Sequence, residues 1–101
     1  MNQYEFLNAL ANSYRQYSWD YADNRLVGVS RRGPTKGLAF NPVTAVANSC
    51  GYGTFPNTKR GTQRAARTLG ITQELANAVY SQSNRGHAQI VRGKMLNTVF
   101  A

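Results

Sequence analysis

The chain has 101 residues, of which 42% are hydrophobic and 11% aromatic: enough for one core, too few residues for two full domains, and too apolar for a disordered tail. Twelve Lys and Arg face four Asp and Glu, so the net charge is +8 and eight cations stay unmatched even if every acid pairs. One cysteine excludes an internal disulfide, and no apolar run reaches membrane-spanning length.

Residues 3–22 read as a helix. Leu7, Leu10, Tyr14, Tyr17 and Tyr21 recur at alternating three- and four-residue spacing, with Ala11 beside them. Asn2 can cap this helix, and Glu5 three residues on completes a box-like start. Asp20, Asp23 and Asn24 weaken its end. A β-hairpin follows over residues 25–40. Leu26, Val27 and Val29 mark one strand and Leu38, Ala39 and Phe40 the other, around a Gly/Pro turn carrying Arg31, Arg32 and Lys36. Asn41-Pro42 is a strong helix start, a cap followed by proline at the first helical position. That helix runs over residues 42–50, buries Val43, Val46 and Ala47, and stops at Gly51. Residues 52–57 are loop. Two helices occupy residues 59–83, broken at Gly70, with Thr72 capping the second. A last helix is expected over residues 87–97, from Ile90, Val91, Met95 and Leu96. The expected fold is mainly α (α+β): one small domain of four to five helices with one short β-hairpin. Its core is Leu7, Leu10, Val43, Val46, Leu69, Ile71, Val79 and Ile90.

Residues 62–82, TQRAARTLGITQELANAVYSQ, carry the most information. Ala66 is small where two helices would touch, and Gly70 lies at the turn. Ala65, Leu69, Ile71, Ala76 and Val79 fall where apolar residues lock the second helix onto the first. The segment resembles a helix-turn-helix, over about a fifth of the chain. The resemblance implies a second helix that enters the major groove, with Gln73 and Asn77 on its outward side able to bond adenine edges. Residues 73–83 hold no Lys or Arg, and Glu74 would be repelled by phosphate. Cations come instead from the preceding helix. Arg60, Arg64 and Arg67 are spaced by four and three and share one face, with Lys59 at its start.

Two further basic clusters stand apart in sequence. Arg31, Arg32 and Lys36 on the hairpin tip read either as a solvated turn or as an arm on a nucleic-acid backbone. Arg85, Arg92 and Lys94 form a looser group. Nine of the twelve cations are Arg, which grips phosphate and carboxylate as a fork. Metal binding needs clustered ligands, and Cys50 and the lone His87 are far apart in sequence, so no metal, cofactor or catalytic set is expected.

The reading is a non-enzymatic nucleic-acid-binding protein that contacts mainly backbone phosphate, through Arg31, Arg32, Lys36, Lys59, Arg60, Arg64, Arg67, Gln73, Asn77 and Arg85. The alternative is a small phage-type inhibitor or adaptor of the anti-CRISPR kind, an analogy of size and character, which docks on an acidic patch of a host protein or competes for its nucleic-acid channel. The tyrosine stripe of the first helix is either core or a homodimer seam. The start Met1-Asn2-Gln3-Tyr4-Glu5 lacks the basic and apolar blocks of a signal peptide. A cytoplasmic location is expected (the host cytoplasm if the chain is phage-encoded), with no membrane partner.

Overall fold

The computed structural model describes residues 1–13, 15–22 and 25–84. The helix expected over 87–97, with Ile90, lies outside them, as do Tyr14, Arg85, Arg92 and Lys94.

The first helix, α1 (Gln3–Ser13), starts as expected. Asn2 Oδ1 accepts from the Glu5 amide at 2.8 Å and Glu5 Oε1 accepts from the Asn2 amide at 2.9 Å, a reciprocal box. Its inward side is set by Phe6 and Leu10, one turn apart and fully buried, while Leu7 is only half-buried. The helix does not continue to residue 22. It stops at Ser13, whose hydroxyl donates to Leu10 O at 2.7 Å and whose carbonyl accepts from Gln16 N at 2.9 Å. Residues Tyr17–Ala22 then form a strand, β1, antiparallel to β2 (Arg25–Ser30).

The reason is a double period. Tyr17 and Tyr21 lie four apart, as on a helix, but Tyr17, Trp19 and Tyr21 also alternate, as on a strand. Tyrosine and tryptophan favour the pleated state, and a partner strand is available immediately downstream. The ladder runs from Tyr17↔Ser30 to Ala22↔Arg25, and β3 (Ala39–Phe40) adds Gly28↔Phe40 and Val29↔Ala39 on the other side of β2. The expected hairpin is thus two strands of a three-stranded antiparallel sheet ordered β1-β2-β3. Trp19 faces Gly28, and a Cβ there would stand 2.9 Å from the indole ring, so the glycine makes room for it. The continuous helical tyrosine stripe, read as core or as a homodimer seam, does not form, because α1 ends at Ser13 and Tyr17 and Tyr21 lie on β1.

Asn41 caps α2 (Pro42–Ser49), and Thr44 closes the box through its hydroxyl, which accepts from Asn41 N at 3.0 Å. Helix α3 (Lys59–Leu69) is capped by Thr58, whose hydroxyl accepts from Gly61 N at 3.0 Å. Gly70 ends it at φ 75, a left-handed position that glycine takes without strain. The Met1 ammonium donates to Leu69 O at 3.0 Å, a favourable charge at a helix C-terminus. Thr72 Oγ1 then accepts from Leu75 N at 3.1 Å at the start of α4 (Gln73–Asn84).

The main core joins Phe6 and Leu10 of α1, Val43, Val46 and Ala47 of α2, Ala65, Ala66 and Leu69 of α3, Ile71, and Ala76 and Val79 of α4. Ala65 and Ala66 are fully buried, which lets neighbouring helices approach closely. A second cluster of Tyr17, Phe40 and Ala45 fastens the sheet to α2. Tyr17 and Phe40 meet edge to face, centroids 5.2 Å apart. The described part is a small mixed α+β domain of four helices and three strands.

Candidate functional site

The exposed side of α3 is built from its cap outward. Gly61 packs so tightly on the Pro56 carbonyl that no side chain fits between them. This close approach lays the preceding loop along the helix and sets Phe55 beside Arg64. The Arg64 guanidinium lies 5.9 Å from the Phe55 ring centroid, within cation–π range. Phe55, Arg64, Arg67 and Thr68 line a cleft of about 380 Å³. Thr68 Oγ1 donates back to Arg64 O at 3.0 Å, so the threonine is engaged with its own helix.

A second cleft, about 370 Å³, is lined by Gln63, Arg67, Gln73 and Asn77. The turn at Gly70 brings the first two turns of α4 alongside α3, and Gln73 Nε2 donates to Gln63 O at 3.5 Å. Arg67 belongs to both clefts. It therefore joins the basic stripe of α3 to the amide-bearing side of α4. No carboxylate is among the described lining residues of either cleft. Glu74 occupies the first turn of α4, where the helix dipole favours an acid, and Arg67 the last turn of α3, where it favours a base. Lys59 and Arg60, in the first turn of α3, work against the dipole.

Of the residues expected to act together, Arg64, Arg67, Gln73 and Asn77 come together on this surface. Lys59 and Arg60 are exposed at the start of the same helix. The hairpin tip belongs elsewhere. Arg31 and Lys36 are exposed on the turn, and Arg32 lines a separate cleft of about 330 Å³ with Arg15, Gln16, Tyr17, Ser30, Thr35 and Asn48. That cleft shares no lining residue with the two on α3. Arg64 and Arg67 thus border the clefts on α3, and Arg15 and Arg32 a separate one.

Sequence reasoning missed Phe55, Gln63 and Arg15. Phe55 sat in a stretch read only as loop, and its one signal was an aromatic just upstream of a basic helix. Arg15 was placed inside a helix that ends before it.

The floor of the third cleft is polar and tied down. The Tyr17 hydroxyl donates to Asn48 Oδ1, with Ala45 O a longer second acceptor at 3.3 Å. Asn48 Nδ2 in turn donates to Gly53 O at 3.2 Å. Burial pushes the Tyr17 phenol up to about 12, and the nearby Cys50 thiol adds to the rise.

No family model, curated protein or solved structure matches the chain. Among the described residues, no three of His, Cys, Asp and Glu gather where they could hold a metal ion. None of the described helices is long and apolar enough to cross a membrane.

Proposed function

We propose that this protein is a non-enzymatic nucleic-acid-binding module whose contact surface is the outer side of α3 and the start of α4. The observation that carries the reading is the position of Arg67. It borders both the Phe55–Arg64 cleft and the cleft holding Gln73 and Asn77. The second helix of the turn has no cation of its own, and α3 supplies the missing charge next to its amides. Arg64 and Arg67 take backbone phosphates as forks, and Arg60 extends the track. Gln73 and Asn77 face the same region with donors and acceptors suited to base edges. The charge of +8 adds long-range attraction to a polyanion.

The test is binding to a labelled oligonucleotide across a salt series. Arg64→Gln and Arg67→Gln each weaken binding to all sequences alike and each reduce the slope of log K against log salt by about 1. Gln73→Ala and Asn77→Ala leave the slope unchanged and alter preference among sequences. A salt dependence that neither arginine substitution moves sinks the proposal. A stoichiometric protein partner that survives nuclease treatment replaces it with the inhibitor or adaptor reading.

A further inference from the structure

The cleft at the base of the hairpin turn has no part in the reading above, and its construction is unusual for a surface groove. The ladder between β1 and β2 continues one step past Tyr17↔Ser30, because Arg31 N donates to Gln16 O at 3.1 Å. This extension carries Arg15 toward Arg32 from the opposite strand, and both line the same cleft. Two cations that line one cleft repel each other. None of the described lining residues is acidic, so none of them offsets that repulsion.

The surrounding groups fix the backbone of the turn that carries Arg32. Ser30 Oγ donates to Arg32 O at 3.2 Å and lies 2.9 Å from Thr35 Oγ1. Gly37 N donates to Ser30 O at 3.0 Å and Ser30 N to Leu38 O at 3.1 Å, which closes the turn over residues 30–38. On the floor, the Tyr17 proton goes to Asn48 Oδ1 and one of the two Asn48 amide protons to Gly53 O, so the phenol offers no free donor. Among the described lining residues, the donors left are the two guanidinium forks, the Gln16 side-chain amide and the second Asn48 amide proton.

We infer that this cleft is an anion site for a phosphate group, held between the guanidinium groups of Arg15 and Arg32 with the Gln16 amide beside them. An anion there turns the repulsion of two facing cations into two charge-assisted contacts, the arrangement in which arginine exceeds lysine. At about 330 Å³ the cleft is roomier than one phosphate ion needs, so it takes a pyrophosphate or a phosphate bearing an organic group. The phosphate comes either from a small free ligand or from the end of a nucleic-acid strand.

Two probes at constant ionic strength distinguish these sources: inorganic pyrophosphate, and a 5′-phosphorylated dinucleotide beside its unphosphorylated form. Binding is read by calorimetry and by the rise in melting temperature that a ligand of the native state produces. The expected result is saturable binding of at least one probe, weakened at least tenfold in both Arg15→Gln and Arg32→Gln and unchanged in Gln3→Ala, an exposed position on α1 outside both surfaces. Pyrophosphate alone assigns a small phosphorylated ligand, and dinucleotide binding that needs its phosphate assigns a strand end. Circular dichroism of the variants guards against misfolding, since both side chains are exposed and leave the core untouched. Absence of saturable binding by either probe, or binding that either Arg15→Gln or Arg32→Gln leaves unchanged, overturns the assignment. Arg15→Gln and Arg32→Gln leave Arg64 and Arg67 in place, which keeps this outcome separate from the fate of the α3 surface.

Discussion

Asn41 uses every hydrogen-bonding position of its side chain inside the protein. Oδ1 accepts from Val43 N and Thr44 N, and Nδ2 donates to Asn57 Oδ1 at 2.9 Å and Thr62 Oγ1 at 2.8 Å. Thr62 passes the chain on by donating to Thr58 O at 2.7 Å. One residue therefore caps α2 and ties its start to the start of α3. Asn41→Ala removes the cap and leaves Asn57 and Thr62 short of a donor, at a cost of about 2–4 kcal/mol. Asn41→Asp keeps the cap acceptor but sets a carboxylate oxygen against two acceptors, so it restores only part of the loss. Urea unfolding of the two variants checks the order. Tyr17 makes a second residue-scale prediction. A phenol that binds its proton more tightly folded than unfolded stabilises the fold fully below pH 10. That contribution is lost as pH rises from about 10 through about 12. The difference in unfolding free energy between the protein and Tyr17→Phe, about 1 kcal/mol at neutral pH, should shrink across that window. A difference that stays constant up to pH 12 removes the argument.

At the scale of elements, the two glycines that admit a close neighbour make opposite demands on helix and sheet. Gly61→Ala gains about 1 kcal/mol of helix propensity in α3, but its methyl group runs into the Pro56 carbonyl, a backbone atom that cannot rotate aside. The clash wins, for a net loss of about 1–3 kcal/mol, and the Phe55 loop lifts away from Arg64. Gly28→Ala presses on the Trp19 ring instead, and the single tryptophan of the chain reports it as a red shift in emission. These contacts also explain what the sequence could reveal. Caps were legible because a cap is a local bargain between a side chain and amides two or three residues away: Asn2, Asn41 and Thr72 all cap where expected. The end of α1 was not, because Tyr17 and Tyr21 fit both periods and only pairing with β2 decides between them. Phe6 over Leu7 was missed for the same reason, since either residue can face inward until α2 and α3 are in place.

At the scale of the molecule, the question is how the surplus charge is distributed. The arginines of α3 were legible as one helical face, because three- and four-residue spacing fixes their side whatever the tertiary fold. Their union with Gln73 and Asn77 was not, because it depends on how the Gly70 turn lays α4 against α3. Nor could sequence place the hairpin tip, which joins Arg15 at a different cleft. This separation makes a quantitative prediction about salt. If duplex phosphates meet only Arg60, Arg64 and Arg67, the slope of log K against log salt is about −3; if Arg31, Arg32 and Lys36 dock on the same duplex it nears −5. Because the two regions share no cleft, we expect the shallower slope. Neutralising the tip with Arg31→Gln and Lys36→Gln, which spares Arg32, should then leave the slope within about half a unit of the unmodified protein. Removing Arg64 and Arg67 together should flatten it to about −1. A slope near −5 that falls when the tip is neutralised would instead require one duplex to span both regions, and would overturn the division of the surface into two sites.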